Sequence, residues 1–198
     1  MLVGGLWVFG VGDAMLIDAK LGNAPWSVLA AGVARHSPLT IGTATIAISV
    51  LVLVGWFPIR QRPGLGTIAN TILIGTSVAV MGHVLPGPHA MAWRLAEAVG
   101  GIAVVAIGGA LYLSTHLGPG PRDGWMTGLA KRLDQPIARV RISIEVAVLV
   151  VGWALGGRLG IATFAFAFLI GHALALALGG LSRFAVERAP IAAAPLPD

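Results

Sequence analysis

Apolar residues run in six long stretches along the chain, near 2–19, 39–57, 65–85, 96–115, 137–156 and 159–180, each broken from the next by polar, Gly or Pro positions. A transmembrane helix needs about 20 mostly apolar residues, so the pattern predicts an all-α polytopic membrane protein with six crossings. Two further segments, 25–35 and 121–133, are too short to cross. At about 1.5 Å per residue they fall well below a hydrocarbon core of about 30 Å and are predicted as re-entrant or interfacial helices. Pro38 and Pro136 suit helix starts, while Pro58, Gly156-Gly157 and Gly179-Gly180 suit stops. The Pro-Gly-Pro run at 86–88 divides the chain. These marks define one transmembrane domain, 1–182, and a Pro/Ala-rich tail, 183–198, expected to be cytoplasmic and disordered. Met1 leads straight into apolar sequence with no basic leader, which predicts a retained first helix.

A shift of 96 positions lays LGNAPWSVLAAGVAR, from Leu21, over LGPGPRDGWMTGLAK, from Leu117. The same shift pairs Gly12 with Gly108, Ile41 with Ile137, Thr67 with Thr163, and the Leu-Ile-Gly run at 73–75 with that at 169–171. One shift holding across half the chain argues for duplication, with repeat one at about 1–86 and repeat two at about 96–182. Three crossings per repeat make the second enter the membrane from the opposite side. Inverted repeats with short facing helices are built into many secondary transporters, whose site lies near the midplane between the halves.

Composition agrees with this class: 57% of the 198 residues are hydrophobic and 11% charged, against about a quarter charged in a soluble domain. The net charge of +5 does not indicate nucleic acid, because the basic residues fall between apolar segments without interleaved aromatics. Six crossings put Arg60, Arg62, Arg122, Lys131, Arg132, Arg139, Arg141, Arg183 and Arg188 on the side of both termini. Only Lys20, Arg35, Arg94 and Arg158 fall on the other side, which predicts cytoplasmic termini. The absence of cysteine excludes disulfides, zinc-thiolate sites and iron-sulfur clusters.

The candidate chemistry lies in the two Leu-Gly-x-x-Pro turns. In the second, Gly118 and Gly120 permit tight backbone geometry, Pro121 opens a helix, and Asp123 is placed to cap it. The positive end of that helix and Arg122 together suit an anionic group; the alternative is that Asp123 only caps the helix and Arg122 faces lipid headgroups. The first turn keeps its glycine and proline but carries Asn23, Trp26 and Ser27. On opposite faces of the membrane, the two turns would give one neutral aromatic mouth and one charged cytoplasmic mouth, where Arg139 would join Arg122. The alternative for Trp26 is a place in the interfacial aromatic belt. Glu145, which costs about 2.5–3.5 kcal/mol as an isolated acid in a membrane helix, is expected to pair with Arg141. Asp13, with no obvious partner of opposite charge, is the stronger candidate for ion coupling; Asn70 and His172 are expected to face the interior and bond between helices.

No nucleophile elbow, HExxH pair, phosphate loop or metal-ligand spacing is present, so the sequence is read as a non-enzyme without cofactor or metal. The segment GALYLSTHLGPGPRDGWMTGLA resembles the YczE/YitT-like family of bacterial integral membrane proteins. Leu117, Gly118, Gly120, Pro121, Arg122, Asp123, Gly124, Met126, Thr127, Gly128 and Leu129 match its LGxGPRDGLMTGL-type stretch, and His116 and Trp125 depart from it. The resemblance implies a polytopic fold in the bacterial cytoplasmic membrane and supplies no established activity. The function expected is secondary transport or export of a polar or anionic small molecule between the repeats. The rival is a scaffold that holds a membrane or homo-oligomeric partner, or a cytoplasmic one, through the basic loop at 130–141.

Overall fold

A computed structural model describes residues 1–87 and 90–188, with side chains described to residue 183. Among these residues the chain is helical: α1 (Leu2–Asp18), α2 (Pro25–Arg35), α3 (Ile41–Val54), α4 (Trp56–Ile59), α5 (Leu65–Val84), α6 (Met91–Leu113), α7 (Pro121–Leu133), α8 (Ile137–Ala154) and α9 (Ile161–Arg188). The short helices α2 and α7 begin at the prolines of the two turns. The helix starts Pro25 and Pro121, Ile41 and Ile137, and Leu65 and Ile161 all lie 96 positions apart.

Some boundaries differ from expectation. The break after α3 falls at Gly55, so Pro58 sits inside the single turn of α4. α6 begins five residues early, at Met91, and α9 runs past Gly179-Gly180 to Arg188 instead of stopping there. The glycine pair therefore does not end that helix, and 183–188 belong to it. The rest of the expected tail, 189–198, lies outside the described residues.

Among the described residues four helices are long and apolar enough to cross a membrane: Ile41–Ile59 (α3 with α4), Leu65–Val84, Met91–Leu113 and Ile161–Arg183. Of the other two expected crossings, α1 has only 17 residues, and α8 carries Arg139, Arg141 and Glu145 within its 18. Apolar side chains cover the outside, including Leu51, Phe57, Phe168 and Leu176, which water would not tolerate in such number.

The core forms where small residues let backbones meet. α1 and α6 run against each other through Gly5 on Gly108 and Gly12 on Gly101. Ser77 of α5 closes on Gly10 and donates to the Trp7 carbonyl at 2.9 Å. The short helices pack across the halves. α2 lies on α8 through Gly32 and Gly152, while α7 lies on α3 and α4, with Gly124 seated under the Trp56 ring.

The turns are exchanged in the same way. Gly66 at the start of α5 donates its N–H to the Leu117 carbonyl at 2.8 Å, and Ala162 at the start of α9 donates to the Leu21 carbonyl at 3.0 Å. Gly22 and Gly118 both have φ +117°, in the region that favours glycine, and a Cβ at Gly22 would meet Gly160 and Thr163 at 2.6 Å. Each turn is thus fixed by the last helix of the opposite half.

Candidate functional site

These exchanged contacts carry the first turns of α2 and α7 inward, to one cavity of about 250 Å³. Its polar lining is Trp26, Asn70, Tyr112, Arg122, Asp123, Arg141 and Glu145. Phe9, Met126, Phe166, Ile170 and Leu174 supply much of the apolar wall.

Trp26 and Arg122 hold equivalent positions in the two short helices, and they touch. The guanidinium carbon lies 4.9 Å from the centroid of the indole ring, a cation–π geometry. This corrects the expectation of two separate mouths. The first turns meet at the centre, because each short helix packs on the other half. The belt reading of Trp26 is overturned with it, since Trp26 is only 6% exposed.

Arg122 feels the charges of Asp13, Asp123 and Glu145, yet among the described residues it forms no ion pair within 4.0 Å and donates no hydrogen bond. The indole Nε1 of Trp26 is buried and has no acceptor either. Buried donors are ordinarily satisfied, so the orphaned indole N–H, with the half-buried and unpaired guanidinium of Arg122 against its ring, marks a place for an acceptor.

The remaining candidates sort clearly. Asp123 does not cap α7; its Oδ2 accepts from the Tyr112 hydroxyl at 3.2 Å. Asp13, which the sequence left without a partner, accepts from the Ser27 hydroxyl at 2.7 and 2.8 Å and is buried. Gly120 lines the cavity with Asn70 packed beside it, whereas Gly118 shapes the turn. Glu145 pairs with Arg141 at 3.0 Å on the side of α8 that faces the cavity.

Three candidates lie elsewhere. Arg139 is exposed and does not join Arg122, because the α-helical turn puts Arg141, not Arg139, on the face of Glu145. His172 is exposed rather than interior, its Nδ1 3.2 Å from the Phe168 carbonyl, since cavity-facing positions on α9 are Phe166, Ile170 and Leu174. Asn23 is buried behind the turn, outside the cavity; its N–H donates to the Arg158 carbonyl at 3.3 Å and its Oδ1 is unpartnered.

The sequence did not single out three supports of the site. Trp56 Nε1 donates to the Pro121 carbonyl at 2.9 Å, fixing the start of α7. Thr67 Oγ1 donates to the Pro119 carbonyl at 2.7 Å and accepts from Gly64 N at 3.1 Å. Tyr112 holds Asp123. Thr67 alone left a signal, its recurrence as Thr163, which accepts from Gly160 N at 3.3 Å.

Comparison with known proteins fixes the kinship. Residues 1–178 match a family of unknown function, DUF6198. The chain belongs to it. A relative in Haemophilus influenzae, described as an uncharacterized protein, is 37% identical over 92% of this chain and 84% of its own length. The uncharacterized membrane protein YczE of Bacillus subtilis is 29% identical over 88% of this chain and 82% of its own. YyaS of the same organism, also described as uncharacterized, is 23% identical over 89% and 86%. No solved structure matches. The resemblance to YczE read from the second turn thus holds across nearly the whole chain, and the DUF6198 match includes both turns and the cavity.

Proposed function

We propose that this protein is a small secondary transporter or exporter in the bacterial cytoplasmic membrane, and that it carries a small molecule through its negatively charged oxygen. The observation behind this reading is the contact between Trp26 and Arg122, two equivalent residues in the lining of one cavity, the indole N–H without an acceptor and the guanidinium without an ion pair among the described residues. An oxyanion fits there: the guanidinium offers a two-pronged grip and the indole N–H a third bond. Asp13, buried beside Ser27, and Glu145, in the cavity wall, are the acids available for coupling.

The topology we assign is six crossings in two inverted halves with both termini cytoplasmic. It is supported by helix starts 96 positions apart and by the basic residues Arg60, Lys131, Arg132 and Arg183 on one side of that arrangement. Lys20 and His116, equivalent and both exposed, test it in this cysteine-free chain. Single cysteines at the two positions should react from opposite faces of the membrane; reaction from one face sinks the inverted arrangement.

Transport is tested in proteoliposomes with labelled short carboxylates and inorganic phosphate. Arg122→Ala should abolish saturable flux and Arg122→Lys retain part of it. If both variants move every compound like the parent, Arg122 has no part in transport. A second reading, a scaffold for a partner, draws on a basic hollow formed by Arg60, Lys131 and Arg132. A complex that survives purification and is lost on neutralising those three would favour it.

A further inference from the structure

The two halves differ at one place beside the cavity. In the first half α3 and α5 pack tightly, with Gly75 against Gly42 and Ile46. In the second half the equivalent helices α8 and α9 do not pack along their lengths. Gly171, the position equivalent to Gly75, would meet nothing within 4 Å if it carried a Cβ. Both helices reach the cavity, α8 through Arg141 and Glu145 and α9 through Phe166, Ile170 and Leu174. Both helices are apolar outside, with Ile142 and Val146 on α8 and Phe164 and Phe168 on α9 exposed. A gap walled by such side chains faces lipid, not water.

The cavity is also divided by chemistry. Arg122, set against the Trp26 ring, brings a cation into its lining, and the α9 side chains in that lining, Phe166, Ile170 and Leu174, are hydrocarbon. Asp123 and Glu145 stand close to Arg122 and oppose a doubly charged head. A volume of about 250 Å³ takes a head and the first part of one chain, leaving the rest of the chain in the gap.

Building on the transport reading above, we infer that the ligand is a single-chain amphiphile with a carboxylate head, reaching the Trp26–Arg122 donors from the bilayer through the gap between α8 and α9.

The test uses the full-length protein in lipid nanodiscs and two diazirine photolabels, a 16-carbon carboxylate and a 4-carbon one. Gly171→Cys introduces the sole thiol into open space, and a bulky methanethiosulfonate reagent then plugs the gap until a reducing agent removes it. Plugging should cut labelling by the long probe on the order of tenfold, equivalent to about 1.4 kcal/mol, with full recovery on reduction. The short probe should be indifferent to the plug, and Arg122→Ala should remove labelling by both.

If the short probe depends on Arg122 while the long probe ignores the plug or fails to label, the lateral route is wrong and the transport reading stands. Labelling by neither probe that depends on Arg122 defeats both readings. A disulfide between thiols at position 171 of two copies would show a second copy covering the gap and would overturn the amphiphile.

Discussion

Gly75 and Gly171 are the same residue at equivalent places in two halves, and replacing each with alanine isolates packing from everything else. In a helix, glycine to alanine gains up to about 1 kcal/mol from backbone entropy alone, and that gain is common to both variants. At Gly75 the new methyl meets the Gly42 carbonyl oxygen at 2.6 Å and the Ile46 side chain, so α3 and α5 must separate. Overpacking of this kind costs about 1–3 kcal/mol. At Gly171 the methyl meets nothing within 4 Å. With propensity cancelled, Gly75→Ala should be less stable than Gly171→Ala by about 1–3 kcal/mol, and for a chain of this size each kcal/mol shifts Tm by about 2–4 °C. Thermal unfolding in mild detergent, followed by intrinsic tryptophan fluorescence, reads the difference directly. The reasoning fails if Gly171→Ala loses as much stability as Gly75→Ala, because α9 would then be packed on the face that α5 buries.

The supports of the site give three further tests. Thr67→Val removes two hydrogen bonds from a fully buried hydroxyl, whereas Thr163→Val removes one long bond of 3.3 Å. At about 0.6–1.5 kcal/mol per bond, the first variant should melt clearly below the second, and equal melting would refute the assigned bonds. Trp56→Phe should cost about 1 kcal/mol by freeing the Pro121 carbonyl, and should weaken ligand binding through misplacement of α7. Ser27→Ala should destabilise by about 1–3 kcal/mol because the buried Asp13 loses its donor, and Asp13→Ala in that background should restore part of the loss in a double-mutant cycle. Full additivity would mean that the two side chains do not interact.

Helix positions were legible because each depended on local signals. Pro25 and Pro121 start the short helices where the chain's own φ preference puts them, and the apolar runs reproduce α1, α5 and α8 to within two residues. Local signals misled at two helix ends. Gly179-Gly180 reads as a stop, yet α9 continues, and the apolar run begins only at 96 although Arg94 is held inside α6. The Arg94 guanidinium donates to the Ala19 and Lys20 carbonyls at 2.8 and 2.7 Å, a long-range contact that no window of sequence contains.

The site was harder, and the reason lies in what an internal shift can say. A shift of 96 makes Trp26 and Arg122 equivalent, but equivalence is silent on distance: two matched residues are far apart unless they lie near the axis relating the halves. What brings them together is the exchange of partners. Trp56 of the first half holds Pro121, Gly152 of the second half receives α2, and Leu21 and Leu117 are each tied to the opposite last helix. Exchange draws both short helices toward the shared centre, so the most unequal pair of residues in the two turns becomes the pair in contact. The same logic explains Arg139. A basic residue near the second turn in sequence has no claim on Arg122, because only the face of α8 carrying Arg141 and Glu145 is turned to the centre. On the transport reading proposed above, inequality at the meeting point of the turns is also what a directional site needs, since two identical turns would present the same donors to both sides. Here one half supplies the flat ring and the other the charge, so that on the same reading an oxyanion between them would contact both halves at once.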